Sequence, residues 1–270
     1  MLHRPSRIPY VACVLALAAS VAVALPKPAS AQEPTPAAAA ADPFLATIAT
    51  MKRAVTPIAC MESGEGGVRR PSRIAGTAFF LTPDGEFMTA AHVIADVLRG
   101  SQKTGTEGCA SPVVYLPLSE WPSGSNEFTA RWYLFDAEKC VQDSGLDLAF
   151  CRTRQNPSED LRRTIGTVAF ERGLQVDGTA VAFTGFPLNV IQPMTARGHI
   201  AMYTSRNELI VDQSAWPGVS GCPVYLVDGS VIGVLIQRGT GDGTGRSIVR
   251  TTAEIDAFLA HARATWGKDE

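Results

Sequence analysis

From about residue 57 onward the apolar positions fall in short runs separated by turn residues. Thr77–Leu81 is followed by the turn Pro83-Asp84-Gly85, and Glu86–Thr89 comes straight after it. Val113–Leu118, Phe128–Phe135 and Leu146–Cys151 repeat the pattern. A polar stretch, Arg152–Arg163, interrupts it. Extended runs resume at Thr167–Phe170, Ala180–Phe183, His199–Tyr203, Glu208–Val211, Pro223–Val227 and Val231–Ile236. Many short strands with turn signals between them predict an antiparallel, all-β sandwich or barrel. The polar stretch divides the runs into two similar halves, which predicts two barrels rather than one.

Two segments have a helical period instead. Asp42-Pro43 reads as a helix start, with Asp as cap and Pro in the first helical position. Phe44, Leu45, Ile48, Met51 and Val55 then fall on one side. Residues 252–265 place Ile255, Phe258, Leu259 and Ala262 on one face. The first of these is expected to dock on the main body.

The first 31 residues are expected to lie outside the fold. Arg4 and Arg7 precede the apolar run Ile8–Leu25, and Ala29-Ser30-Ala31 follows. A basic start, an apolar stretch and small residues make an export signal, with cleavage predicted after Ala31 and a periplasmic or secreted destination. Residues 32–41 read as a linker. Loss of Arg4, Arg7 and Lys27, with no acid, takes the net charge from −2 to −5. A mildly acidic chain with no basic run gives no electrostatic reason to expect nucleic acid or an anionic membrane as partner, and no stable membrane insertion is expected once the signal is removed.

Five cysteines follow the leader: Cys60, Cys109, Cys140, Cys151 and Cys222. Export permits disulfides, and an odd count leaves at least one thiol unpaired within the chain. Cys140 and Cys151 flank the turn-like Gln142-Asp143-Ser144-Gly145 and are expected to face each other across two strands. Cys222 is expected to be a buried small hydrophobe. No Cys-x-x-Cys pair occurs and only three histidines follow the leader, so no structural zinc site is expected, and the sequence shows no metal or cofactor signature.

The chemistry centres on "WPGVSGCPVY", Trp216–Tyr225. Two glycines flanking one serine expose main chain around a hydroxyl. A serine hydroxyl needs an adjacent base to act as nucleophile. His261 lies among alanines of the terminal helix, and His199 opens a strand and can be held locally. His92 sits where an extended run meets a helical pattern, in "FMTAAHVIADVL". A base needs a third group to fix its tautomer. Asp147, in "SGLDLAF", is an acid within an apolar run, where a charge is costly unless paired.

The segments "TAAHV", "DLAF" and "GVSGCP", in the order His92, Asp147, Ser220, resemble the histidine, aspartate and nucleophile motifs of trypsin-like, chymotrypsin-fold serine proteases. "GTAFFLTPDGEFMTAAHVI", "VAFTGFP", "TARGHI" and "DGSVIGV" look most like the bacterial branch with the HtrA-like and glutamyl endopeptidases, and no PDZ-sized segment is left over. The resemblance spans about residues 70 to 240. It implies two antiparallel six-stranded barrels flanked by an N-terminal and a C-terminal helix. It implies a Ser-His-Asp triad of Ser220, His92 and Asp147, an oxyanion hole from the N–H groups of Gly218 and Ser220, and protein or peptide as substrate.

By position in the resemblance, Ser214 and Ala215 lie near the base of the specificity pocket, and Leu235 and Gln237 on a strand edge that pairs with substrate. No acid stands at Ser214 to attract Lys or Arg, and Leu235 stands where glutamyl enzymes have histidine, so a small or apolar side chain is the expected preference. The chain departs from the family at Val219, where Asp or Asn is common, and at Cys222, where glycine is common. The implied organisation is a leader at 1–31, linker and helix at 32–56, a first barrel at 57–152, a connection at 153–163, a second barrel at 164–251, and a terminal helix and tail at 252–270. Two rivals compete. One is a protease-fold protein that only binds; the presence of all three triad residue types argues against it, and a closed pocket would support it. An α/β-hydrolase esterase could use Ser220, Asp256 and His261, but Cys222 breaks its elbow motif and alternating helices are absent.

Overall fold

The computed structural model describes residues 42–63, 69–100, 108–118, 129–188, 190–238 and 245–266. The expected leader and linker lie outside these residues. Helix α1 (Leu45–Ala54) leads directly into strand β1 (Val55–Ser63). Strands β2 (Arg69–Phe80) and β3 (Glu86–Thr89), helix α2 (Ala91–Arg99), and strands β4 (Pro112–Pro117), β5 (Ala130–Leu134), β6 (Val141–Asp143) and β7 (Leu148–Arg152) follow. These strands form one antiparallel sheet in the order β5-β4-β1-β2-β3-β7-β6.

After helix α3 (Pro157–Leu161) come β8 (Ala180–Gly185), β9 (Met194–Tyr203), β10 (Glu208–Val211), β11 (Pro223–Tyr225), β12 (Val231–Arg238), β13 (Ser247–Thr251) and helix α4 (Thr252–Trp266). These six strands close into a barrel, β10-β13-β12-β11-β8-β9.

The expectation of two six-stranded barrels with terminal helices alone is therefore corrected. Only the second half closes. The first is an open seven-stranded sheet, and among the described residues four α-helices are distributed along the sequence. The reason lies at its edges. β6 has three residues and pairs only with β7, and beyond it the edges meet at one isolated bridge, Phe135 with Thr153. A single bridge is not a ladder, so the sheet stays open. The polar stretch read as a plain connection contains α3. Asn156 caps it by accepting from the N–H groups of Ser158 and Glu159, with Pro157 in the first turn.

The helix at the N-terminus forms about two residues later than expected. The Asp42 carboxylate accepts from Phe44 N–H, before the helix itself. The shift puts Leu45 in solvent, 62% exposed, while Phe44 and Met51 are buried and Val55 belongs to β1. Phe44 packs edge-on against Tyr225 of the barrel.

One apolar cluster joins the two halves. It contains Phe79, Met88 and Phe150 from the sheet, Tyr225 and Val234 from the barrel, and Ile255, Phe258, Leu259 and Ala262 from α4. The apolar face expected for α4 is thus the one it buries. Arg263 on α4 also pairs with the nearly buried Glu86 of β3 at 2.8 Å, and Arg152 of β7 pairs with the same carboxylate at 3.1 Å. The barrel interior is a separate cluster that includes Val181, Phe183, Val211 and Cys222.

Two disulfides form, Cys60–Cys109 and Cys140–Cys151, the second as expected from the intervening turn. Cys222 is free and buried, and burial pushes its thiol well up, away from the reactive thiolate. Loop-closure entropy grows with the length enclosed, 49 residues for the first bridge against 11 for the second. The double variant Cys60→Ala/Cys109→Ala should lose about 4 kcal/mol and Cys140→Ala/Cys151→Ala about 3 kcal/mol. Guanidinium denaturation of both against the parent checks the order.

Candidate active site

β3 ends at Thr89, and α2 starts two residues on. The N-cap position holds Ala90, which has no side chain able to cap. The unmet donors of the first turn are met from elsewhere in the sheet. Asp147, in the turn between β6 and β7, accepts from His92 N–H through Oδ1 at 2.9 Å. Its Oδ2 lies 2.8 Å from His92 Nδ1. One carboxylate therefore caps α2 and holds the imidazole. A carboxylate only accepts, so Nδ1 carries the hydrogen, and in the neutral ring Nε2 is the lone-pair nitrogen. The ring is open to a reactant, with the His92 side chain 43% exposed and Asp147 26%.

The turn carrying Asp147 is itself constrained. Asp143 Oδ1 accepts from the N–H groups of Gly145 and Leu146. Asp147 then adopts φ 56°, a left-handed conformation that aspartate tolerates better than most residues. Its carbonyl accepts from Ala91 N–H, and the preceding carbonyl, of Leu146, accepts from the buried Arg250 on β13 of the barrel at 3.0 Å. Arg250 was not foreseen. An arginine late in an extended run gives no signal of its reach.

Ser220 lies in the loop between β10 and β11, where the peptide units alternate in direction. The Pro217 carbonyl accepts from Leu188 N–H, and the Val219 carbonyl accepts from Cys222 N–H. In a trans peptide the N–H points opposite to the carbonyl. The N–H groups of Gly218 and Ser220 therefore face away from those contacts, and among the described residues neither has an acceptor, whereas Val219 N–H between them is bonded to Trp216 O. Gly218 has φ 95°, and a Cβ there would meet Leu188 N and Phe186 O. Gly221 has φ 86° and packs against Thr77 O, Thr89 Oγ1 and Ala90 N. That contact brings the serine loop against the start of the helix that bears His92. Among the described residues no hydrogen bond joins Ser220 to His92.

Of the expected pocket residues, Ser214 is half-buried and Ala215 buried, in the same loop. Leu235 is 1% exposed inside the barrel. Its N–H and C=O are already bonded to Cys222 O and Gly221 N. Gln237 continues β12 opposite Ile248; its side chain lies outside the described set. His199 and His261 are exposed and apart from this site, His199 pairing with Asp212 at 3.4 Å. A cavity of about 460 Å³ lined by Asp84, Asp136, Arg152, Arg154 and Trp266, among others, shares no residue with the site. Among the described residues no group of three or more His, Cys, Asp or Glu side chains could hold a metal ion.

A family model, the trypsin-like peptidase domain, matches residues 76–234. Two solved structures of the Rv3671c protease from M. tuberculosis are similar. Its active form is 18% identical with a TM-score of 0.54, over 80% of this chain and 83% of that one. A Ser343Ala mutant, described as an inactive form, is 19% identical with a TM-score of 0.54, over 81% and 91%. At these identities the likeness is one of fold. It carries no assignment to the HtrA-like or glutamyl endopeptidases, so that finer expectation is set aside. No curated protein matches.

Gly221→Ala combines a left-handed φ with a methyl group against β2 and the start of α2. It should cost about 2–5 kcal/mol, the sum of backbone strain and overpacking. A urea midpoint measured beside Gly178→Ala, which has similar φ and open space around it, isolates the packing part.

Proposed function

The chain belongs to the trypsin-like peptidase domain family, and on that premise we propose that it is a serine endopeptidase acting through Ser220, His92 and Asp147. The observation that carries this reading is the pair of unbonded N–H groups at Gly218 and Ser220, on a loop that packs through Gly221 against the start of the helix whose imidazole is held by a carboxylate.

In the proposed reaction Ser220 Oγ attacks the scissile carbonyl carbon and His92 Nε2 takes the hydroxyl proton. The carbonyl π pair moves onto oxygen, where the Gly218 and Ser220 N–H groups bind the resulting oxyanion. The oxygen pair returns, the C–N bond breaks, and His92 passes its proton to the leaving amine. Water repeats the sequence on the acyl-enzyme: His92 takes its proton, then returns one to Ser220 as the acid leaves. Asp147 offsets the imidazolium charge throughout and is not itself protonated. A Ser–His contact absent in the free protein can tighten once substrate binds.

Ser214 and Ala215 offer no charge to the residue before the scissile bond, which favours a small or apolar side chain there. Because the main chain of Leu235 is already paired within the barrel, strand addition by substrate falls to the edge beyond it, toward Gln237. Export through a leader at 1–31 completes the proposal; two disulfides accord with an oxidising compartment. No described helix is long and apolar enough to cross a membrane.

The missing Ser220–His92 hydrogen bond favours one alternative, a binding protein on a peptidase scaffold that does not cleave. A fluorophosphonate probe separates the two. The native protein should label at Ser220 and hydrolyse peptides, while a folded protein that does neither supports the alternative. Ser220→Ala should abolish labelling and lower kcat by about 10⁶, as for the nucleophile of a comparable triad. Asp147→Asn should lower kcat by about 10⁴, through the wrong tautomer of His92.

A further inference from the structure

Thr77 lies on β2, in the open sheet, yet its hydrogen bonds run to the serine loop of the barrel half. It is fully buried. Its N–H donates to Ser220 O at 2.9 Å. Its Oγ1 donates to Gly218 O at 3.0 Å and accepts from Phe186 N–H at 2.8 Å. Its own carbonyl accepts from Thr89 Oγ1 at 2.7 Å.

A hydroxyl has one proton to give. With Phe186 N–H directed at the oxygen, that proton goes to Gly218 O, and the direction of the bond is fixed. Among the described residues this is the only hydrogen bond to Gly218 O. Gly218 is also one of the two glycines of the loop, where torsions are freest. Two residues beyond Phe186, Leu188 N–H holds the Pro217 carbonyl and so sets the direction of Gly218 N–H. The Thr77 hydroxyl thus ties together the middle peptide of the loop and the segment that orients the peptide before it.

We infer that Thr77 is a positioning residue for the oxyanion hole: its side-chain hydroxyl holds the Gly218 peptide so that the N–H groups of Gly218 and Ser220 stay aimed at the same point. The inference rests on the proposed peptidase reading. Thr77 touches no reacting atom, and its effect is expressed through the two donors.

Thr77→Val keeps the shape and removes the hydroxyl; Thr77→Ser keeps the hydroxyl and removes a methyl. Loss of an oxyanion donor outright costs about 10²–10³ in rate, so misaiming should lower kcat of Thr77→Val by about 10–100-fold, with KM within about threefold. Rates are taken per active site titrated to completion with fluorophosphonate. The Ki of a peptide aldehyde, whose bound form places an oxyanion in the hole, should rise with the loss in kcat. The Ki of the matching alcohol should not move, and Thr77→Ser should retain near-parental values. Amide hydrogen exchange over 216–222 should speed up in Thr77→Val alone.

Parental kcat and aldehyde affinity in Thr77→Val would overturn the inference, and so would equal losses in the serine variant, which would assign the effect to packing. If the parent protein neither labels nor cleaves, the peptidase reading fails, and hydrogen exchange still decides the positioning role: faster exchange in Thr77→Val supports it and unchanged exchange refutes it.

Discussion

Asp147 holds the site together by answering two needs with one carboxylate. α2 begins at an alanine that cannot cap it, and an imidazole two residues later has to be held in one tautomer. Oδ1 takes the helix N–H and Oδ2 takes the ring. The stability gained is modest: a cap contributes about 1 kcal/mol, and a negative charge at a helix N-terminus about 0.3–1 kcal/mol. The left-handed backbone at Asp147 costs about 1–2 kcal/mol in return. Cap and strain roughly cancel, so the arrangement yields geometry rather than stability. It points His92 Nε2 outward with Nδ1 committed.

The rest of the structure brings the serine loop against the start of the helix that bears His92. The loop belongs to the barrel half, the histidine and aspartate to the open sheet, and the bonds between them are backbone-directed. Thr77 N–H meets Ser220 O, Gly221 packs under the start of α2, and Arg250 of the barrel reaches the carbonyl before Asp147. A shared apolar cluster and the Glu86–Arg263 pair hold the halves in register behind the site. An open first sheet leaves this intact, because β2 and β3 lie inside it and the β6–β7 turn that carries Asp147 is held by its own hydrogen bonds and by Arg250 of the barrel.

Local signals were legible in the sequence and long-range ones were not. Turn residues around Gln142–Gly145 predicted the Cys140–Cys151 bridge, and the apolar spacing of 255–262 predicted the buried face of α4. Sheet closure depends on whether two distant edges pair, and alternation within each strand is the same either way, so the barrel expected over 57–152 proved to be an open sheet. The α3 helix was readable from Asn156-Pro157 and was obscured by the polarity of its surroundings. Thr77 could not be found from sequence. A threonine in an apolar strand looks like any β-former, and only the fold reveals that Gly218, 141 positions later, accepts its proton. Leu235 shows the limit of position alone, since its main chain is already used within the barrel.

The central claim is geometric: an alcohol, an imidazole and two main-chain donors converge on one carbonyl. A crystal structure of the protein treated with a peptide boronate of small apolar character tests this directly. The account predicts continuous density from boron to Ser220 Oγ, one boronate oxygen about 2.7–3.1 Å from the nitrogens of both Gly218 and Ser220, and His92 Nε2 turned toward the adduct. An intact, folded site with the boronate absent, or bound without a bond to Ser220, would contradict it.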